Sequence, residues 1–428
     1  MKMNLIRFGV LAMVATGTTF SVLAVPEISN VTQSRNDETH LVTISYDLSE
    51  TAIVTAQVFV NGEKLSQDAY GILAGKVHRV VAAGTERQIW WKAPAGLAAN
   101  AEVKLSAWAK DDPPDYMAVD MITVNHRRFY ETAEDVPGGV TNRLYKTDKL
   151  LMRKIYAKNI EWPMGASSDV PYALPQHKLH MVTLTENYYI GVYEMTKRQY
   201  GNITNDFKRA ENIVTDDVRP LSMSYGNMRG SDSGYVWPTD GHKVKSNRPI
   251  GLIRSRTGLT LDLPTEAQWE YACRAGESKA LYTGESTNEV NVSKIAWHGG
   301  NWNQDPEGEE FKTHEVGLLA PNKWGLYDML GNGSDVCLDV MSDSKSDTAQ
   351  IDPYQGEPAE DPLGPLTGTY VTATGRHARR GGAVASTAKN TTSATTFAVC
   401  RAHYRENLAY SAGYSHLGYR MTMPAVIP

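Results

Sequence analysis

The chain of 428 residues carries 43 Lys and Arg against 48 Asp and Glu, a formal net charge of -5, with 21% charged and 41% apolar residues. That is the ordinary globular range, and without a basic stripe it argues against nucleic acid as a partner. The length suggests two or three domains, and 9 Trp, 22 Tyr and 35 Gly suit a loop-rich fold pinned by aromatic anchors better than a helical bundle.

The first residues read as an export signal. Lys2 and Arg7 come first, then a short apolar run from Phe8 to Ala15, then small residues ending in Val22-Leu23-Ala24. This is the order of a secretory signal peptide cleaved after Ala24. The run is well short of the ~20 apolar residues that a membrane span needs. No cysteine stands at the cleavage point to take a lipid, and no later stretch is apolar enough to cross a bilayer. Residues 1–24 are therefore expected to send the protein to the periplasm or the extracellular space, with no transmembrane segment once they are removed.

Residues 26–121 are strand-like. LVTISYDLS, IVTAQVFVNGEKL, RQIWWKAP and EVKLSAWAK alternate apolar and polar residues, and Asn61-Gly62 is a two-residue turn signal. Several short strands in such a span predict a small β-sandwich of immunoglobulin or fibronectin type. The acidic run Asp111 to Asp115 reads as a solvated loop at a sheet end. Residues 122–146 read as a linker, and a larger α+β domain with little regular secondary structure follows over 147–423. Its clearest helix is LPTEAQWEYACRAG: Thr265 is the N-cap, Gln268 completes a capping box, and Trp269, Ala272 and Cys273 share a face. Ser342 to Thr369, rich in Pro, Asp, Ser and Gly, reads as a long loop. Three cysteines, Cys273, Cys337 and Cys400, leave at least one free thiol or a bond to another chain; three buried thiols are the alternative.

YYIGVYEMTKRQY, RPLSMSY, DLPTEAQWEYACRAG, AWHGGN, HEVGLLAPNKWGLYDMLGN, RRGG and HLGYRM stand in this order along the second domain. In order and spacing they resemble the formylglycine-generating enzyme family, also called sulfatase-modifying factor domains. The resemblance implies a variant of the C-type lectin fold with an aromatic core and, often, bound calcium. Asn322, Asp328, Asn332 and Asp335 carry the oxygen groups that such a hard cation prefers, although Asx residues also stabilise turns unaided. PTEAQWEYA is explained by capping and packing, so Glu266 and Glu270 need no catalytic role.

Catalytic members oxidise a cysteine of a client sulfatase, using copper(I) held by two cysteines after the RGG block. In this chain the matching positions are Ser386, four residues after Gly382, and Thr391, five further on. A hydroxyl stays protonated at neutral pH and is a hard donor, so neither replaces a thiolate toward copper(I), and copper is not expected. The family block GN-x-WEW is also altered, to Gly331-Asn332-Gly333-Ser334-Asp335-Val336, without either tryptophan. The resemblance brings the segments of Cys337 and Cys400 near each other and so suggests a disulfide between them.

Twelve of the sixteen residues from Ala383 to Ala398 are Ala, Ser or Thr. Small residues suit a shallow ligand surface, to which His403, Tyr404, Tyr410, Tyr414 and His416 would add rigid amphipathic contacts. The layout is similar to that of variable proteins of diversity-generating retroelements, which use the same fold. The expectation is thus an exported, non-catalytic relative that binds a protein or glycan through its C-terminal surface. Two alternatives stand beside it. One is an enzyme, with His298, His314, Asp335 and His403 as acid/base or metal groups; the other is a structural envelope protein.

Overall fold

The computed structural model describes residues 25–36, 38–94, 96–97, 101–167, 170, 177–204, 218–230, 235–301, 312–341, 358–364, 375–384 and 399–428. Residues 1–24, expected to be a signal segment, Ser386, Thr391 and most of the expected 342–369 loop lie outside them. The N-terminal strands are β1 (Ile28–Asn36), β2 (Leu41–Leu48), β3 (Ala52–Val60), β4 (Glu63–Lys64), β5 (Leu73–Gly75), β6 (Arg79–Val81), β7 (Gly84–Lys92) and β8 (Ala101–Trp108). They form two sheets, β1-β2-β7-β5 and β4-β3-β6, with β8 added on β3. Alternation decides which side is buried: Val42, Ile44, Tyr46 and Leu48 of β2 point into a core shared with Val54, Val58, Ile89 and Trp91. The β3-β4 hairpin closes at Asn61 (φ 52°) and Gly62 (φ 85°), the pair of positive φ values that a type I′ turn requires.

The following strands are β9 (Tyr116–Asp120), β10 (Arg127–Tyr130), β11 (Lys149–Ile155), β12 (Ile160–Met164), β13 (His180–Leu184), β14 (Tyr188–Gly191), β15 (Ser334–Met341), β16 (Ala359–Glu360), β17 (Arg376–Arg380), β18 (Arg405–Ala409), β19 (Leu417–Gly418) and β20 (Thr422–Pro424). The segment expected to be a linker is structured. β10 pairs with β9 in the sheet β10-β9-β11-β14-β20, because Met117, Val119 and Phe129 bury apolar side chains in the large core of the second unit. The sandwich docks on this segment: Phe129 N–H donates to His78 O at 3.0 Å, Thr55 Oγ1 to Glu131 Oε1 at 2.6 Å and Gln57 Nε2 to Asp135 Oδ2 at 2.9 Å. The acidic loop is held by the protein's own cations, with Lys154 on Asp112 and Arg153 on Asp115.

The short helices are α1 (Gln67–Tyr70), α2 (Leu144–Thr147), α3 (Lys197–Thr204), α4 (Tyr225–Arg229), α5 (Pro249–Thr257), α6 (Glu266–Arg274) and α7 (Glu289–Ser293). No helix among the described residues is long and apolar enough to cross a membrane. α6 has the expected capping box between Thr265 and Gln268 and buries Trp269, Ala272 and Cys273 against the sheet β18-β17-β15-β19. Cys273, Cys337 and Cys400 are all buried free thiols, so the expected Cys337–Cys400 disulfide is not formed; both residues are spent as apolar side chains in the core that Trp269 anchors.

β15, β19 and β14 meet where backbone passes very close to a buried carboxyl. A Cβ on either Gly333 or Gly418 would collide with Glu194 Oε1, and Glu194 is fully buried. Gly418→Ala is expected to cost about 1–3 kcal/mol through overpacking, read as a lowered urea midpoint with an unchanged slope. A midpoint equal to that of the native protein would show that Glu194 swings aside freely.

Candidate functional site

The RRGG stretch ends β17 and fixes the mouth of the Ala/Ser/Thr tract. Gly381 and Gly382 have φ of 86° and 72°. A Cβ on Gly381 would lie 2.8 Å from Met329 O, and one on Gly382 3.0 Å from Cys400 Sγ, so only glycine fits this turn comfortably. Gly331 N–H donates to Gly381 O at 2.8 Å and Val384 N–H to Asn332 O at 3.0 Å. The two ends of the tract, Val384 and Cys400, are therefore both anchored beside this turn.

Behind it lies a buried ion cluster. Glu270 accepts from Arg274 Nε at 2.8 Å and Nη2 at 2.6 Å, from Gly165 N–H at 2.9 Å and from Arg380 Nη2. Glu266 accepts from Arg405 Nε at 2.9 Å and stands 3.6 Å from Arg380 Nε. Arg380 lies over the Trp269 ring at 5.2 Å. Burial by itself would raise the Glu270 pKa, but Arg274, Arg380 and the Gly165 amide overcome it and hold it at about 2. The two glutamates of PTEAQWEYA thus serve as clamps for arginines from β17 and β18, in accord with their structural reading.

Next to the cluster, His177 and His403 face each other with ring centroids 5.5 Å apart. Burial first, then cationic neighbours, brings His177 to about 3 and His403 to about 4. For His403 those neighbours are Arg274, Arg401 and Arg380, against the pull of Glu270. His403 lines a cavity of about 620 Å³ with Arg274, Lys279 and Arg401.

Four of the five expected ligand-binding residues fall into two connected groups. His403 and Tyr404 surround His177, with Tyr404 5.2 Å from its ring. Tyr404 Oη donates to Glu406 Oε1 at 3.2 Å, Glu406 pairs with Arg379 at 2.8 Å, and Arg379 lies over Tyr414, which stacks on His416 at 5.3 Å. Tyr410 is tied instead to α4, its carbonyl accepting from Gly226 N–H at 3.0 Å. Tyr414 is 47% exposed and gives this strip its open aromatic face.

The four expected cation ligands each have protein partners. Asn322 donates to Ala272 O at 2.7 Å and accepts from Trp324 and Leu326 N–H, so it ties a turn to the end of α6. Asp328 accepts from Gly317 N–H at 2.6 Å, and burial raises its pKa to about 6. Asn332 accepts from His314 N–H at 2.8 Å and donates to Glu194 Oε2 at 3.3 Å. Asp335 takes Trp269 Nε1 at 2.8 Å and Arg420 Nε at 3.0 Å. Among the described residues no group of three His, Cys, Asp or Glu is arranged to hold a metal. Sequence reasoning missed Glu194, whose pKa burial and the charges of Asp335 and Asp328 raise far above the ordinary range. Its only signal was a lone Glu in the strand text GVYEMT.

The remaining acid/base candidates flank Trp297: His298 follows it in the chain and His314 stacks on its ring. His298 is fixed by Ser293 Oγ at 2.9 Å and Gly300 N–H at 3.0 Å, and His314 stacks on Trp297 at 3.8 Å. Each is tied into a local turn or ring pair.

A strand-rich α+β domain whose glycine turn, capping-box helix and closing Gly-Tyr-Arg are locked by buried arginines has the framework of a sulfatase-modifying fold. The chain belongs to that family: residues 161–424 match the sulfatase-modifying factor enzyme 1-like domain. It is similar to the chaperone protein LppX of Paenibacillus barcinonensis, 27% identical over 36% of this chain and 63% of that one. It is also similar to the formylglycine-generating enzyme of Thermomonospora curvata, 34% identical over 25% of this chain and 35% of that one. The chain thus spans less than two thirds of either relative. Among solved structures, Treponema denticola variable protein 1 aligns with a TM-score of 0.42 at 21% identity, over 64% of this chain and 95% of that one. PvdO from Pseudomonas aeruginosa aligns with the same TM-score at 19% identity, over 64% and 94%.

Proposed function

We propose that this protein is an exported, non-catalytic member of the family that binds a protein or glycan through its C-terminal surface. One observation carries the reading: every cysteine in the chain is a buried free thiol. Desolvation pushes Cys400 up to about 12 and Cys273 and Cys337 further. Copper(I) and cysteine oxidation need thiolates, and here each sulfur is an apolar core atom. The positions after the glycine turn carry Ser386 and Thr391 instead. The strip from Tyr404 through Arg379 to Tyr414 and His416 supplies the rigid amphipathic contacts of a binding surface. Among the relatives one is named a chaperone and another a formylglycine-generating enzyme, so family membership leaves room for both binding and catalysis.

The test incubates the mature protein with copper(I), oxygen and a sulfatase-type cysteine peptide, beside the double variant Ser386→Cys, Thr391→Cys, and follows peptide mass and copper uptake. No conversion by the native protein is expected, with copper uptake gained by the variant. Conversion by the native protein would overturn the reading and make the chain an enzyme.

A further inference from the structure

We propose that the cavity walled by Arg274, Lys279, Arg401 and His403 is a subsite for a small organic carboxylate with a compact apolar body. The inference deepens the ligand-binding reading above and rests on it. The cavity, about 620 Å³, has an apolar and a cationic wall, with Ser167, Ser278, Ser286 and Thr287 also lining it. The apolar wall is formed by Pro163, Ala166, Val170, Leu179 and Ala280. The other is cationic, and among the described residues its one acidic side chain, Glu285, is already engaged by Lys294 Nζ at 3.2 Å. A ligand satisfying both walls is amphiphilic and negative.

His403 is the second, independent pointer. It is 2% exposed, it lines the cavity, and its Nε2 has no hydrogen-bond partner among the described residues. A buried polar atom left in that state costs free energy, and a ligand oxygen can restore the bond. Three guanidiniums, Arg274, Arg401 and Arg380, bear on this ring against the single carboxylate of Glu270, so a cation or a metal is disfavoured here. Arg274 already carries Glu270, and its Nη2 and Nη1 donate to Gly165 O at 2.7 Å and Ser278 O at 3.0 Å. The single charge of a carboxylate suits these already engaged cations better than the double charge of a phosphate.

Two sources share this chemistry: a free short-chain acid and the C-terminal carboxylate of a peptide. The experiment measures, by titration calorimetry on the mature protein, hexanoate against hexanamide and N-acetyl-Ala-Ala-Leu against its C-terminal amide. In at least one pair the acid is expected to bind ten-fold or more tightly than the amide, and the pair that discriminates identifies the source. Lys279 is exposed at the rim, and among the described residues its side chain donates to Gly284 O at 3.0 Å, so Lys279→Glu keeps the fold and is expected to weaken acid binding at least ten-fold. Equal binding of acid and amide in both pairs, or acid binding unchanged in Lys279→Glu, overturns the subsite. Conversion of the cysteine peptide alongside Lys279-dependent acid binding would overturn the non-catalytic reading and leave the subsite standing.

Discussion

Arg420→Lys is expected to remove about 4 kcal/mol or more of stability, enough to leave the family domain largely unfolded at 37 °C. Arg420 is fully buried and spends its whole fork. Its Nη1 donates to Gly191 O at 2.9 Å and Val192 O at 3.1 Å, its Nη2 to Tyr327 O at 2.8 Å and Asp328 O at 3.3 Å, and its Nε to Asp335 Oδ2 at 3.0 Å. One side chain therefore satisfies carbonyls from β14, from the turn around Asp328 and a carboxylate of β15. Lysine keeps the charge but offers three donors from a single point, and it cannot reach acceptors that a planar fork reaches in opposite directions. At least two buried carbonyls would be orphaned, at roughly 1–3 kcal/mol each, and Asp335, beside two other carboxyls, would lose the guanidinium donor and keep only Trp269 Nε1. The measurement is the thermal unfolding midpoint by circular dichroism, with Lys323→Met as control. That lysine pairs with Glu277 at 3.4 Å on the surface, where such a pair is worth about 0–1 kcal/mol. A midpoint for Arg420→Lys close to that of the control would refute the clamp.

The contrast between these residues shows what can be read from a sequence and what cannot. Capping at Thr265 and the Asn61-Gly62 turn are local: the residues that decide them are adjacent in the chain, so both are legible. The framework role of the closing Gly418-Tyr419-Arg420 is legible through family text, but its partners are not, because Arg420 bonds to residues up to 229 positions away. Residues 122–146 look like a linker because β10 spans only Arg127–Tyr130, too short to show a period; what makes it a strand is the finished sheet edge beside it. The cysteines were misread for a related reason. Nearness of segments licenses a disulfide only where the thiols face each other, and here both serve as core volume. The site followed the same rule. The aromatic strip is legible as a run of Tyr and His near the C-terminus, whereas the cavity beside His403 draws its walls from β12, the end of α6 and the loop beyond it.

The second large effect concerns the clamp behind the glycine turn. Glu270→Gln is expected to destabilise the protein by about 3–5 kcal/mol at pH 7, because the amide leaves Arg274 and Arg380 as buried guanidiniums short of a counter-charge. The pH dependence follows from the same carboxylate. Its folded pKa of about 2 lies below the ordinary value near 4.3, so its ionised form stabilises the fold, fully above pH 4.3 and progressively less as pH falls toward 2. A depression of that size corresponds to about 3 kcal/mol at pH 7, in line with the cost of removing the charge. The native protein should therefore lose stability steeply on acidification, and the Gln variant less steeply, so the gap between them narrows from pH 7 to pH 3. Urea midpoints of both proteins at the two pH values decide it. A gap that stays constant would mean that shape and hydrogen bonding, rather than charge, carry the clamp. A gap that closes would tie the geometry of the Arg380 turn, and with it the mouth of the Ala/Ser/Thr tract, to one ionised carboxylate on α6.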